Sequence, residues 1–216
     1  MGADYIDYLV TDRIASPSEF LDRLYSEKVI YMPHSYFAND YKQSCRYVFD
    51  RERPKREQYG LPVDKFIFAN FNQLYKIDPQ TFSIWMNILK RVPNSVLWLL
   101  EYPADARGNL FKEAELRGVD RTRLIITAKA PKHEHINRCY LADLALDNAI
   151  TNGHTTSCDL LWSGCPMVTL PATDNMPSRV ATSICCAIGC PEMVANSFYE
   201  YEELAVSYAM DPVKLK

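Results

Sequence analysis

Glycine is scarce in this chain. It occurs seven times in 216 residues, less than half of its usual share of about 7 %. The seven glycines lie far apart, which excludes the G-x-G-x-x-G turn of dinucleotide-binding folds and the glycine-rich phosphate loop. Any phosphate group that the chain binds is therefore expected at the N-terminus of a helix, where backbone N–H groups are free.

The chain also has little net charge and no long hydrophobic run. Its 24 basic and 27 acidic side chains give a net charge of −3, which does not favour binding to nucleic acid or an anionic membrane. Its longest apolar runs, such as Ser95–Leu100, are far below the ~20 residues that span a bilayer. Met1–Asp4 has neither the basic nor the apolar region of a secretory signal. We expect an intracellular, soluble chain without nucleic-acid or membrane partners.

The cysteines and histidines do not form a metal-binding pattern. The seven cysteines include no C-x-x-C pair, and the four histidines are not spaced to complete a zinc site. An odd number of cysteines, most of them in apolar stretches, is typical of a reduced protein of the cytosol or nucleus. We therefore expect no bound metal.

Strands and helices alternate from about residue 59 onwards. The predicted strands are Phe66–Asn70, Ser95–Leu100, Arg123–Thr127, Ala142–Asp147 and Met167–Leu170. Predicted helices lie between or after them, at 79–92, Asn109–Leu116, Pro131–Arg138, Thr155–Ser163, Ser178–Ile188 and Tyr201–Met210. This alternation predicts an α/β fold, a Rossmann-like parallel sheet with helices on both faces. Ligands of such sheets bind beyond the carboxyl ends of the strands.

The first part of the chain has a different character. Residues 1–40 are predicted as strand, helix and strand, with the strands at Tyr5–Thr11 and Lys28–Met32. Residues 41–58 are polar and rich in charge, and we find no apolar period in them. They are predicted to form a surface linker, with the main domain spanning residues 59–216.

The loop after the first predicted strand of the main domain holds Gln73 and Lys76. Their spacing places an amide and an ammonium on one turn, and a lysine beyond a strand end can neutralise a phosphate. The alternative is a solvated lysine in a connector.

A second loop leads into a short helix that begins near Pro131. Lys132, His135 and Arg138 are spaced i, i+3, i+6 and share roughly one helix face. An aromatic ring between two cations suits a planar base and a ribose. The alternative is an exposed, charged helix.

A third loop ends in a run of hydroxyl residues at a helix start, Thr155–Cys158. Free N–H groups and the helix dipole make this an anion site. Asp159, one turn further on, can accept hydrogen bonds from ribose hydroxyls. The alternative is that Thr155 is only a helix cap and His154 a surface histidine.

Three segments, Phe71–Pro79, Ile88–Leu100 and Asn152–Thr156, resemble the catalytic half of the protein O-GlcNAc transferases. The resemblance runs from about Tyr5 to the C-terminus and is weakest over Ala38–Glu57. It implies the C-terminal half of a GT-B glycosyltransferase. Such an enzyme inverts configuration, uses no cofactor or metal, and moves N-acetylglucosamine from UDP-GlcNAc to serine or threonine hydroxyls of cytoplasmic and nuclear proteins.

The resemblance also implies the residues that hold the diphosphate and the sugar. Gln73 and Lys76 match the pair near the UDP diphosphate, where the lysine stabilises the leaving group. His154, Thr155 and Thr156 match the helix start that holds phosphate and sugar. Lys76 and His154 are our candidate catalytic residues, and no general base is assigned.

Five further positions are implied to hold the uridine. Ala130, through its backbone, and Arg138, through its side chain, match the positions that read uracil, and His135 matches the ring that stacks on it. Lys132 and Asp159 match the ribose contacts.

Parts of the family's architecture have no counterpart in the sequence. There is no tetratricopeptide superhelix, and residues 1–40 match only the end of the family's first catalytic domain. We expect a fragment that binds UDP but transfers sugar to protein acceptors weakly or not at all by itself. Two alternatives are an inactive UDP-binding module and another GT-B enzyme, such as a UDP-GlcNAc epimerase.

Overall fold

The computed structural model describes residues 2–50, 52–211 and 213–215; Arg51, within the predicted linker, lies outside them, as do Met1, Pro212 and Lys216. The strands are β1 (Tyr8–Thr11), β2 (Lys28–Tyr31), β3 (Phe66–Asn70), β4 (Ser95–Leu100), β5 (Leu124–Thr127), β6 (Leu144–Leu146) and β7 (Met167–Val168). The α-helices are α1 (Leu21–Leu24), α2 (Tyr41–Ser44), α3 (Tyr47–Asp50), α4 (Pro79–Arg91), α5 (Arg107–Leu116), α6 (Lys132–Cys139), α7 (Thr155–Ser163), α8 (Val180–Ala187) and α9 (Phe198–Met210).

Strands β3 to β7 form one sheet in the order β5-β4-β3-β6-β7. Every neighbouring pair in it is parallel. The chain order reverses between β3 and β6, so the connections that leave these two strands run in opposite directions and open a crevice between them. Two of the three loops singled out in the sequence start at this crevice.

Helices cover both faces of this sheet. Leu97 and Leu99 of β4 belong to the hydrophobic cluster that contains residues of α4, α5 and α9, whereas Val96 and Trp98 belong to the cluster with residues of α6, α7 and α8. All residues of β4 are buried, as expected for a parallel strand covered on both sides. The predicted Rossmann-like α/β fold is therefore confirmed.

Local signals account for the helices that frame the crevice. The Asp78 carboxylate accepts hydrogen bonds from the backbone N–H groups of Gln80 and Thr81, and thereby caps α4. Helix α7 begins and ends as predicted, and it stops at Gly164 in the left-handed conformation (φ 91°). Helix α6 starts one residue later than predicted, because Pro131 is extended (ψ 149°) and precedes the first turn.

Residues 2–40 form the predicted strand, helix and strand. Strands β1 and β2 pair in parallel as a separate two-stranded sheet. Asp12 joins this unit to α8, since its carboxylate accepts a 2.7 Å hydrogen bond from the Ser183 hydroxyl. Its other oxygen accepts from the backbone N–H groups of Ile14 and Ala15.

The segment predicted as an unpatterned surface linker is partly buried. It contains α2 and α3, and Tyr41, Cys45 and Val48 are no more than 5 % exposed. These three residues belong to a cluster with apolar residues of α6, α7 and α8. The linker prediction is wrong for residues 41–48. The three buried residues are spaced i, i+4, i+7, as on one face of a helix, but this apolar pattern is short and lies among polar residues, so it is hard to recognise in the sequence. The division of the chain into domains stays a prediction.

In the described ranges, no helix has both the length and the apolar character needed to cross a membrane.

Candidate functional site

A buried network of asparagine side chains joins the loops that follow β3 and β6. The Asn70 side-chain amide donates to the carbonyl of Leu146 at 2.7 Å and to Asn148 Oδ1 at 2.9 Å. The Asn72 amide donates to Asn148 Oδ1 at 2.8 Å and to Asp147 Oδ1 at 3.3 Å. The two loops are therefore fixed relative to one another at the point where the strand order reverses.

Asp147 holds the turn that precedes α7. One carboxylate oxygen accepts from the backbone N–H of Gly153 at 2.7 Å and the other from the Thr169 hydroxyl at 2.9 Å. Burial raises the pKa of Asp147 to about 6, although these hydrogen bonds and the nearby Lys76 cation oppose the shift. Asp147 is not among the site residues predicted from the sequence; an acidic residue at the end of a buried strand is the signal that could have found it.

Lys76 reaches across the crevice to the same turn. Its Nζ donates to the carbonyl of Asn152 at 2.9 Å. Burial lowers the pKa of Lys76, and the Asp147 carboxylate opposes that effect. The lysine is therefore anchored in the crevice, unlike a solvated connector residue. Gln73 starts the same short turn, and its side chain does not cap it.

The turn before α7 leaves little room for a side chain at Gly153. A Cβ added to Gly153 would lie 2.4 Å from Ser157 Oγ and 3.1 Å from Asn72 Oδ1. The Thr156 hydroxyl donates to the same Asn72 oxygen. The asparagine network thus packs directly against the helix start, with Thr155 exposed at its tip.

His154 precedes this helix and faces Phe37, with ring centroids 5.7 Å apart. Burial and the Lys76 cation lower the pKa of His154, so its ring is neutral at neutral pH. Its Nε2 is buried and has no hydrogen-bond partner among the residues that the structure describes. This nitrogen is an available polar group beside the start of α7.

A cleft of about 340 Å³ lies next to the start of α7, a volume in the range of small-molecule sites. Six of the ten positions implied by the resemblance line it: Ala130, Lys132, His135, Thr155, Thr156 and Asp159. Phe71, Leu100 and Lys129 complete the lining. The cleft thus brings together residues from the loops and helices that follow β3, β5 and β6.

One wall of the cleft is the His135 ring, which meets Phe71 edge-on with centroids 5.3 Å apart. Burial lowers the pKa of His135 to about 4, helped by the Arg138 cation. The ring is therefore neutral near pH 7. Its Nε2 lies 3.7 Å from Asp159 Oδ2, so this contact is neither an ion pair nor a normal hydrogen bond.

Arg138 stands behind this wall and does not line the cleft. It is 2 % exposed, and its Nη1 donates to the carbonyl of Ala128 at 3.0 Å. Its guanidinium lies about 5.7–5.8 Å from the ring centres of three aromatic residues, Tyr59, Phe71 and Trp98. Gln73, Lys76 and His154 are likewise absent from the lining; Lys76 and His154 flank the start of α7.

Two other features bear on ligands. Within the described part of the chain, no group of three or more His, Cys, Asp or Glu side chains is placed to hold a metal ion. A larger cavity, of about 870 Å³, is lined by Arg56, Asp143 and Leu215 among others. None of the ten implied positions lines it.

The chain is similar to glycosyltransferases throughout. The family model for glycosyl transferase family 41 matches residues 1–55 and 53–216. The chain is 53 % identical over 217 residues to the probable UDP-N-acetylglucosamine--peptide N-acetylglucosaminyltransferase SEC of Arabidopsis thaliana, covering 100 % of this chain and 22 % of that protein. It is 48 % identical over 156 residues to the UDP-N-acetylglucosamine--peptide N-acetylglucosaminyltransferase of Caenorhabditis elegans, covering 72 % of this chain and 14 % of that protein.

A solved structure has the same fold. A mutant of the O-GlcNAc transferase of Thermobaculum terrenum matches with a TM-score of 0.79 and 28 % identity, over 97 % of this chain and 38 % of that one. The chain spans only 22 % of the length of the Arabidopsis relative and 14 % of the length of the Caenorhabditis relative. Because the family model covers the chain from its first residue to its last, the chain belongs to glycosyl transferase family 41.

Proposed function

We propose that this chain is the donor-binding part of a protein O-GlcNAc transferase. The whole enzyme transfers N-acetylglucosamine from UDP-GlcNAc to serine or threonine hydroxyls of cytoplasmic and nuclear proteins. The observation that carries the proposal is the cleft beside α7, which is lined by six of the ten positions implied for UDP-GlcNAc. The cleft lies at the strand-order reversal, where α/β sheets bind nucleotides.

The uridine half of the donor lies in this cleft. The neutral ring of His135 stacks on the base, and the Lys132 ammonium and Asp159 carboxylate bind the ribose hydroxyls. The backbone of Ala130 reads the uracil edge. Arg138 supports His135 from behind, since its Nη2 lies 3.4 Å from His135 Nδ1, and a direct contact of Arg138 with uracil stays a prediction.

The diphosphate lies at the start of α7. In the proposed reaction the acceptor hydroxyl displaces UDP at the anomeric carbon, and negative charge grows on the β-phosphate as the bond breaks. The free N–H groups at Thr155 and Thr156 and the Lys76 ammonium face this charge. Lys76 is held by the Asn152 carbonyl before the reaction, so its charge stabilises the leaving group with little reorganisation.

Calorimetric titration of the 216-residue chain with UDP tests the donor site. We expect UDP to bind and ADP, which has the same diphosphate on a larger base, to bind more weakly. Failure to bind UDP would overturn the proposal.

A transfer assay with radiolabelled UDP-GlcNAc and a serine-containing peptide tests the reaction. We expect transfer by the whole enzyme and weak or no transfer by this chain alone. A whole protein that binds UDP but transfers no sugar would instead be an inactive UDP-binding module.

A further inference from the structure

Tyr41 reaches the donor cleft from a segment outside the main sheet. It belongs to α2 and is 3 % exposed. Its hydroxyl donates to Asp159 Oδ1 at 2.5 Å and lies 3.4 Å from the carbonyl oxygen of Thr155. Its ring also packs on Trp162, with centroids 5.9 Å apart. The Tyr41 side chain is therefore held against α7, from Thr155 at its start to Trp162 near its end.

The same tyrosine contacts a second residue of the cleft. The Lys132 ammonium lies 4.8 Å from the centre of the Tyr41 ring, a cation–π distance. One side chain thus touches both Lys132 and Asp159, which come from α6 and α7 and are the two positions assigned above to the ribose. Tyr41 therefore links a residue of α6 to a residue of α7.

The hydrogen bond from Tyr41 leaves one Asp159 oxygen for a ligand. Oδ1 is occupied by the tyrosine hydroxyl, whereas Oδ2 is 3.7 Å from His135 Nε2. Among the described residues no donor lies within hydrogen-bond distance of Oδ2, and Asp159 lines the cleft. With Oδ1 hydrogen-bonded, the carboxylate cannot rotate freely, and Oδ2 has no hydrogen-bond partner among the described residues.

We propose that Tyr41 is a positioning residue for the ribose of the donor, holding Asp159 and Lys132 in the geometry that binds its hydroxyls. This inference rests on the proposed function. Its physical basis is preorganisation: a carboxylate that is ordered before binding loses less conformational entropy when it accepts hydrogen bonds from the ribose.

The test compares Tyr41→Phe with the unaltered chain by calorimetry, using UDP and 2′,3′-dideoxy-UDP, which has no ribose hydroxyls. We expect Tyr41→Phe to weaken UDP binding by about tenfold, the scale of one hydrogen bond to a charged group. The same variant should bind dideoxy-UDP as well as the unaltered chain does. A merely structural role would weaken both ligands alike.

Two further variants serve as controls. Tyr208→Phe removes a tyrosine hydroxyl that contacts the carbonyl of Glu192, away from the cleft, and should leave UDP affinity unchanged. In an Asp159→Ala background, Tyr41→Phe should have no further effect on UDP affinity, because the two changes remove one shared interaction. This second comparison stays informative even if Tyr41→Phe lowers the melting temperature.

The outcomes separate the two proposals. If the unaltered chain does not bind UDP, the proposed function is wrong and this inference with it. If the unaltered chain binds UDP but Tyr41→Phe binds it equally well, or loses UDP and dideoxy-UDP to the same extent, the role of Tyr41 alone is wrong. Additive losses in the Asp159→Ala background would overturn it as well.

Discussion

The Lys76 ammonium donates a 2.9 Å hydrogen bond to the carbonyl of Asn152, and this bond joins the two loops on either side of the strand-order reversal. The asparagine side chains beneath it make the same connection. A cation is therefore fixed beside the start of α7 by groups that belong to the protein. Its position does not depend on a bound ligand.

Lys76→Met tests whether this cation stabilises a leaving group. In the whole enzyme that contains this chain, we expect kcat to fall by about 100-fold or more, because charge on the β-phosphate grows as UDP leaves. UDP affinity should fall less, since the start of α7 and the uridine contacts remain. Lys90→Met is a matched control, because Lys90 is exposed on α4. Full kcat in a folded Lys76→Met enzyme would assign the lysine a structural role only.

Chelation tests whether the diphosphate is held by the protein alone. We expect UDP binding by the chain, and sugar transfer by the whole enzyme, to persist in EDTA, because helix N–H groups and Lys76 carry the positive potential. Titration and transfer assays in EDTA, with and without added Mg²⁺ or Mn²⁺, measure this. A loss that either metal restores would mean that these groups are insufficient.

His135 should make stability depend on pH. The pKa of its buried ring is about 4, against about 6.5 in the unfolded chain. Between these values the unfolded state binds more protons, so His135 lowers the free energy of unfolding as the pH falls through this window. His135→Asn removes this loss of stability, because asparagine does not titrate. Relative to the unaltered chain, the variant should gain up to about 3 kcal/mol of stability on going from pH near 7 to pH near 4.

Urea unfolding of both proteins at the two pH values measures this change. Taking the difference between variant and unaltered chain cancels the contributions of other groups. One of these is Asp147, whose raised pKa of about 6 acts in the opposite sense, because the folded state keeps its proton to higher pH. A difference that does not vary with pH would show that the His135 ring titrates as it does in the unfolded chain.

Gly153→Ala should destabilise the chain by about 1–3 kcal/mol, the usual cost of overpacking. The added Cβ would lie 2.4 Å from Ser157 Oγ, and both groups are buried. Ser157→Ala in the same chain removes that oxygen and should recover part of the loss. The recovery should be incomplete, because Asn72 Oδ1 remains 3.1 Å away. Melting temperatures of the single and double variants distinguish this clash from a general effect of losing glycine, which Ser157→Ala would not relieve.

Elements with strong local signals were predictable from the sequence. The continuous apolar run of β4 and the aspartate cap of α4 each specify their element within a few residues, and both are found as predicted. The segment around α2 was not predictable in this way. Its apolar stripe is only three residues long, and it forms helices because α6, α7 and α8 cover it.

The candidate site was likewise predictable only in part. The parallel sheet, the loops at its carboxyl edge and the hydroxyl-rich start of α7 follow from the sequence, because periodicity and capping act within a few residues of chain. The contact of Tyr41 with Asp159 across 118 residues and the place of Arg138 behind the cleft wall follow only from the packing of the elements. The reason is physical: spacing specifies which face of an element a residue occupies, whereas its partner on another element is set by how the elements pack.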